Sequence, residues 1–235
     1  MIDLAKITDP YERKARLYPA LICLFPLMVG MSITFPKVYS TLSGFVALAA
    51  AIGGIQFLSH LARDRGKKLE PTLFKNWGGT PSVAILRHSD KYISPPAKLK
   101  YHSVLESKSK IAAPSVDFEN DNSEKADEIY AAWSDFLRGK TRDVKKYPLV
   151  FKENINYGFR RNLFGVRRHC IFSALISIVI ILLPSLENRS LSEVQIAIGL
   201  FLVTYIFIFS FVVSRDWVKT VADAYSRNLI EAINA

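Results

Sequence analysis

Four stretches of this chain carry no Asp, Glu, Lys or Arg, and they come as two closely spaced pairs. Leu17 to Pro36 and Val38 to Ala62 form one pair; His169 to Leu186 and Val194 to Ser214 form the other. Each is about as long as the ~20-residue helix that crosses a ~30 Å hydrocarbon core. Lipid tolerates only helices or closed barrels, and the stretches show no period-2 alternation, so the pattern predicts helices. The expected fold is an all-α integral membrane protein: four transmembrane helices in two hairpins, with a mostly helical cytoplasmic domain inserted between them. Its parts are an N-terminal arm (1–16), a first hairpin (17–62), a basic domain (63–168), a second hairpin (169–214) and a C-terminal helix (215–235).

The positions of Lys and Arg orient these spans. Lys6, Arg13, Lys14 and Arg16 precede the first span, and only Lys37 lies in the loop after it. Arg63, Arg65, Lys67 and Lys68 follow the second, and Arg160, Arg161, Arg167 and Arg168 precede the third. The last loop holds only Arg189 among basic residues, whereas Arg215 and Lys219 follow the fourth span. Both termini and the middle domain are therefore expected in the cytoplasm, with two short loops facing out. The first span is too long, and its flank too acidic, for a cleaved signal peptide.

Within the first hairpin, Pro26 removes a backbone hydrogen bond and predicts a bend, and Pro36 with Lys37 predicts a tight outer turn. Asn188-Arg189-Ser190 matches a glycosylation sequon in the other outer loop. In the middle segment the second helix is expected to extend through Arg65 and break at Gly66. Trp77-Gly78-Gly79-Thr80-Pro81 reads as a turn, and Pro95 as a helix start. Ala112 to Lys125 reads as an exposed acidic loop. Ile129, Tyr130, Trp133, Phe136 and Leu137 recur at helical spacing and predict an amphipathic helix over 127–139. A further helix is expected from Pro148, broken near Gly165.

Charge adds a second feature. The chain has a net charge of +10. Residues 63–168 account for nearly all of it, with 22 basic against 13 acidic residues and a net +9. Cytoplasmic flanks are ordinarily enriched in Lys and Arg, and the same excess fits anionic lipid or nucleic acid. Aromatic residues interleave with these charges. Arg65, Lys67, Lys68, Trp77, Arg87, His88, Arg138, Lys140, Arg142, Lys145 and Lys146 are the candidate ligand-binding residues, since cations on phosphates and rings under bases hold single strands. Arg160, Arg161, Arg167 and Arg168 abut the third span and read as headgroup contacts.

Chemistry is sparse. His60, His88, His102 and His169 are scattered, with no spacing suited to zinc, and no phosphate-binding glycine loop or nucleophile elbow occurs. Arg87-His88-Ser89-Asp90 groups reactive residue types, but adjacency in sequence is not a triad, and a polar turn is the plainer reading. No catalytic, metal or cofactor site is expected. Cys23 and Cys170 lack a paired framework and read as small apolar packers. No ionisable Asp, Glu, Lys or Arg lies at membrane depth, where ion-coupled transporters use them. Small residues do: Ser43, Gly44, Ala47, Ala51 and Gly54, with Gln56 near the inner end of the second span, mark a face for close packing. That face serves either one four-helix bundle or a pore or contact between subunits.

Several blocks carry a resemblance. They are Asp9-Pro10-Tyr11-Glu12-Arg13-Lys14-Ala15-Arg16-Leu17-Tyr18-Pro19-Ala20, Arg65-Gly66-Lys67-Lys68-Leu69-Glu70, Trp77-Gly78-Gly79-Thr80-Pro81, Leu86-Arg87-His88 and Tyr157-Gly158-Phe159-Arg160-Arg161-Asn162. Together they resemble a family of small bacterial membrane proteins of mostly unassigned role. The design is also similar to the membrane effectors of anti-phage systems, including that of the Hailong system. That resemblance implies a homo-oligomer in the lipid bilayer that conducts ions. It also implies control by a nucleotide or short single-stranded DNA made by a partner nucleotidyltransferase. A non-conducting adaptor, recruiting a partner through the acidic loop and the amphipathic helix, is the alternative.

Overall fold

The structure is a computed structural model that describes residues 9–35, 44–188 and 190–234. Among them there is no strand. The helices are α1 (Glu12–Thr34), α2 (Gly44–Asn76), α3 (Pro81–Ala84), α4 (Pro95–Ser109), α5 (Val116–Asp121) and α6 (Ser123–Lys140). They continue with α7 (Pro148–Gly165), α8 (Arg167–Leu182), α9 (Ser185–Asn188), α10 (Glu193–Val212) and α11 (Arg215–Glu231). Ser43, the Pro36–Lys37 turn and Arg189 of the sequon lie outside the described residues.

Two helices, α1 and α10, are long and apolar enough to cross a membrane. The pair α7 and α8, bent by 55° at Val166, passes the same test when taken together. Helix α8 ends at Leu182, short of the expected Leu186, because Leu183 and Pro184 form a turn before α9. The chain forms two compact units, Met1–Leu69 with Gly158–Val218, and Glu70–Tyr157 with Lys219–Ala235. Each of the three crossings between them falls inside a helix, in α2, α7 and α11.

In the first unit α1 packs along α8, and α8 along α10. Small residues make that approach possible. An added Cβ at Gly30 would collide with the Ser177 hydroxyl, and Ala20, Cys23, Cys170, Ala174 and Ser177 are buried on the same seam. The helices are then tied by hydroxyls donating to backbone carbonyls. Ser173 Oγ donates to Cys23 O at 2.7 Å, Ser177 Oγ to Pro26 O at 2.7 Å, and Thr34 Oγ1 to Ile180 O at 3.3 Å. Pro26 frees the Ile22 carbonyl one turn back, and Tyr205 OH donates to it at 2.8 Å. Helix α1 runs through Pro26 as one element with that carbonyl satisfied.

Helix α2 does not break at Gly66. It continues through Gly66 and Pro71 to Asn76. Gly66 is a packing glycine: a Cβ there would lie 2.9 Å from Asn162 Cα, and one on Gly165 would lie 2.5 Å from Gly66 N. Asn162, fully buried, donates to Ala15 O at 2.7 Å and fastens α7 to the start of α1.

The second unit has its own core. Ala126, Tyr130, Trp133 and Leu137 line one face of α6 and are fully buried, as are Leu86, Leu105, Leu229, Ile230 and Ile233. The expected amphipathic helix is α6, longer at both ends. The C-terminal helix thus completes the core of the middle segment. The region expected as an exposed acidic loop contains α5, whose N-cap Ser115 accepts from Phe118 N at 3.1 Å. One of its acids, Glu119, is buried.

Candidate functional site

Two constellations of polar groups stand out in the second unit. The first centres on Glu119. Its carboxylate accepts from His88 N at 2.8 Å, Ser89 N at 3.2 Å, Ser89 Oγ at 3.2 Å and Tyr130 OH at 2.7 Å. Burial opposes its charge, but these bonds outweigh burial and hold the carboxyl below its ordinary pKa. Burial, then the Glu119 carboxylate, pushes the Tyr130 hydroxyl up. Beside them Arg87 makes a two-pronged pair with Asp127, Nε to Oδ1 at 2.7 Å and Nη2 to Oδ2, and donates Nη1 to Gly78 O at 2.8 Å. The bond to Asp127 raises the Arg87 pKa.

Lys98, almost fully buried, donates to the Arg87 and Asp90 carbonyls, with the Asp90 carboxylate 3.7 Å away. Burial pulls its pKa down. His102 sits beneath the turn, its Nε2 2.8 Å from Leu86 O and its ring 4.8 Å from that of His88. Burial lowers its pKa to about 4, against the opposing effect of the Leu86 carbonyl.

A cleft of about 400 Å³ opens on this network, lined by Arg87, Ser89, Glu119, Asn120, Ser123, Glu124 and Asp127. Its charges are mostly paired, and acids outnumber its one base. Within Arg87-His88-Ser89-Asp90 the side chains turn to separate partners: Ser89 Oγ to Glu119, and His88 Nε2 to Pro114 O at 2.9 Å. Serine and histidine are not hydrogen-bonded to each other as an activated nucleophile requires. The run is the hub that pins α5 and α6 to the turn.

The second constellation is basic. Lys108 ends α4 and Lys140 ends α6, and both reach the last turn of the chain. Lys108 Nζ donates to Ile233 O at 2.7 Å; Lys140 Nζ lies 3.3 Å from both Ala232 O and Ile233 O. Burial, then the neighbouring Lys108 and Lys146 ammoniums, hold Lys140 below its ordinary pKa. Of the predicted ligand residues, Lys140 stands here, Lys146 lies over the Tyr147 ring with its Nζ 5.4 Å from the centroid, and Lys108 is the member that sequence reasoning missed. Its signal was available only as a lysine in the last turn of a helix, which is common.

The remaining predicted residues are dispersed. Arg65, Lys67 and Lys68 are exposed on α2 within the first unit, and Arg87 and His88 belong to the polar hub. Arg138 pairs with Asp135 at 2.5 Å. Arg142 and Lys145 are exposed in the loop before α7, and Trp77 is half-buried against Phe74, its indole N–H without a partner. Of the predicted subunit-contact residues, Gly44, Ala47, Ala51, Gly54 and Gln56 all lie on α2. A Cβ on Gly53 or Gly54 would meet nothing within 4 Å, and Gln56 is exposed beside His60 at 3.2 Å. The described residues contain no cluster suited to a metal ion.

Comparison with known proteins places part of the chain beside a membrane transporter. It is 30% identical over 86 residues to the tryptophan-specific transport protein of Pseudomonas aeruginosa (strain UCBPP-PA14). The match covers 37% of this chain and 20% of that protein, so the chain spans about a fifth of the relative's length. No family model matches, and no solved structure does. The apolar helices and this partial similarity together point to a membrane protein.

Proposed function

We propose that the chain is an oligomeric effector of bacterial anti-phage defence that forms or gates an ion-conducting pore in the inner membrane and depolarises it. In this reading four helices cross the membrane, the charge-free half of α2 among them, with both termini in the cytoplasm. The chain is not an enzyme. An anionic ligand, a nucleotide or short single-stranded DNA supplied by a partner nucleotidyltransferase, binds the basic middle segment and biases an open–closed equilibrium through its differential affinity for the two states. The observation that carries the reading is the division of labour in the fold. A unit whose apolar helices α1, α8 and α10 are joined by hydroxyl-to-carbonyl hydrogen bonds is continuous, through three helices, with a separately cored polar unit that holds most of the middle segment. The open surface beside Gly53, Gly54 and Gln56 leaves α2 free to meet a second copy.

The adaptor alternative fares less well. Tyr130, Trp133 and Leu137, the apolar face it would offer a partner, are consumed in the unit's own core, and Glu119 of the acidic segment is buried. The test is expression in a bacterium without any partner protein, with membrane potential read by a voltage-sensitive dye. Collapse of the potential is expected; a normal potential at high expression overturns the proposal.

A further inference from the structure

Lys108 and Lys140 come from different helices, and both direct their ammoniums at Ile233 O. The carbonyls that end the C-terminal helix carry partial negative charge and attract each of them. The two like charges are thereby brought together, and neither makes an ion pair among the described residues.

The carbonyls do not exhaust these ammoniums. Each has three N–H donors. Lys108 spends one on Ile233 O and Lys140 at most two on Ala232 O and Ile233 O. The position of the carbonyls is set independently, because Ile233 is fully buried in the core with Leu229 and Ile230. The result is a fixed seat: spare donors from the last turns of α4 and α6, converging beside the C-terminal turn.

We propose that Lys108 and Lys140 form a binding site for a phosphate group, and that the bound phosphate clamps the C-terminal turn 232–234 to the ends of α4 and α6. The site takes a phosphate monoester or diester, whether from a soluble ligand or from a lipid headgroup. This rests on the reading of the middle segment as a ligand receiver and locates its seat. It leaves the Arg87–Glu119 cleft, whose lining is mainly acidic, outside the site.

The test uses the full chain in a phosphate-free maltoside detergent, titrated with inorganic pyrophosphate by calorimetry, and amide exchange over 229–234. Saturable binding and slower exchange are expected. K108Q/K140Q should weaken binding by about tenfold or more, as loss of charge-assisted hydrogen bonds implies. K125Q, about 22 Å away along α6, should leave it unchanged. If the double variant does not fold, the single variant K140Q carries the test, with a severalfold loss expected.

Discs containing phosphatidylglycerol separate the sources. Slow exchange before any pyrophosphate is added assigns the seat to a headgroup; slow exchange only after addition assigns it to a soluble phosphate. No binding in the detergent, or wild-type affinity in K108Q/K140Q or K140Q, overturns the proposal. Binding with these signatures in a protein that leaves membrane potential intact would sink the effector function and keep the phosphate site.

Discussion

The two units satisfy polar groups differently where their helices pack. Between α1, α8 and α10 the donors are the neutral hydroxyls of Ser173, Ser177, Thr34 and Tyr205, and the acceptors are backbone carbonyls of a facing helix. At the centre of the second unit stands the ionised carboxylate of Glu119, flanked by the Arg87–Asp127 and Lys98–Asp90 pairs. A charge in hydrocarbon is costly, so neutral donors suit helices apolar enough to cross a membrane. A carboxylate can be buried if enough donors surround it. The bonds between α1, α8 and α10 are therefore indifferent to mild acid, whereas the core around Glu119 and His102 titrates.

The largest expected effect falls on the second unit. Glu119→Ala leaves the Tyr130 hydroxyl and two backbone N–H groups without their acceptor, and should cost roughly 3–5 kcal/mol. Thermal unfolding followed by Trp133 fluorescence should show it, while a probe on α1 or α10 stays unchanged. Simultaneous melting of both units would erase the distinction.

Acid should act on the same unit. His102 has its pKa lowered to about 4 from an ordinary 6.5. Its contribution is intact above 6.5 and falls with pH through the window from 6.5 to 4, because the unfolded chain takes up the proton first. The loss amounts to roughly 3 kcal/mol at the lower end. Glu119, also depressed, adds to it at still lower pH. Replacing His102 with Gln should flatten the stability profile over that window.

On the apolar side, Gly30→Ala drives a methyl into the Ser177 hydroxyl and must separate α1 from α8. A loss of about 1–3 kcal/mol is expected in detergent unfolding, with the melting of the second unit unaltered. Tyr205→Phe is the mildest. It removes one interhelical bond to the carbonyl that Pro26 freed, worth about 0.6 kcal/mol in a membrane protein. A much larger loss would show that the orphaned Ile22 carbonyl has no substitute donor.

Much of the fold was legible along the chain, and the reasons differ by element. Helix α6 announced itself because Tyr130, Trp133 and Leu137 repeat at the spacing of one helical face. Pro95 and Pro148 marked helix starts because proline is tolerated where the N–H is unpaired anyway. Gly66 misled, since a glycine that stops a helix and a glycine that admits a neighbouring backbone look identical in sequence. The acidic stretch misled for a related reason: its composition gives the solvation of most of its acids, not the burial of one. Sequence reading singled out Lys140 among many basic residues but had no means to join it to Lys108, and it placed the close-packed small-residue face on α2.

What the sequence by itself determined was that the chain is helical and carries segments apolar enough for a membrane, two of which, α1 and α10, are long enough to cross one. Transfer free energy depends on composition more than on partners, so that much is readable without any contact. What only the tertiary structure decided was pairing at a distance. Gly30 meets Ser177, Ile22 meets Tyr205, Glu119 meets His88 and Tyr130, and two lysines meet the last turn of the chain. Such pairings depend on the directions in which packed helices aim their side chains, and no local pattern encodes them.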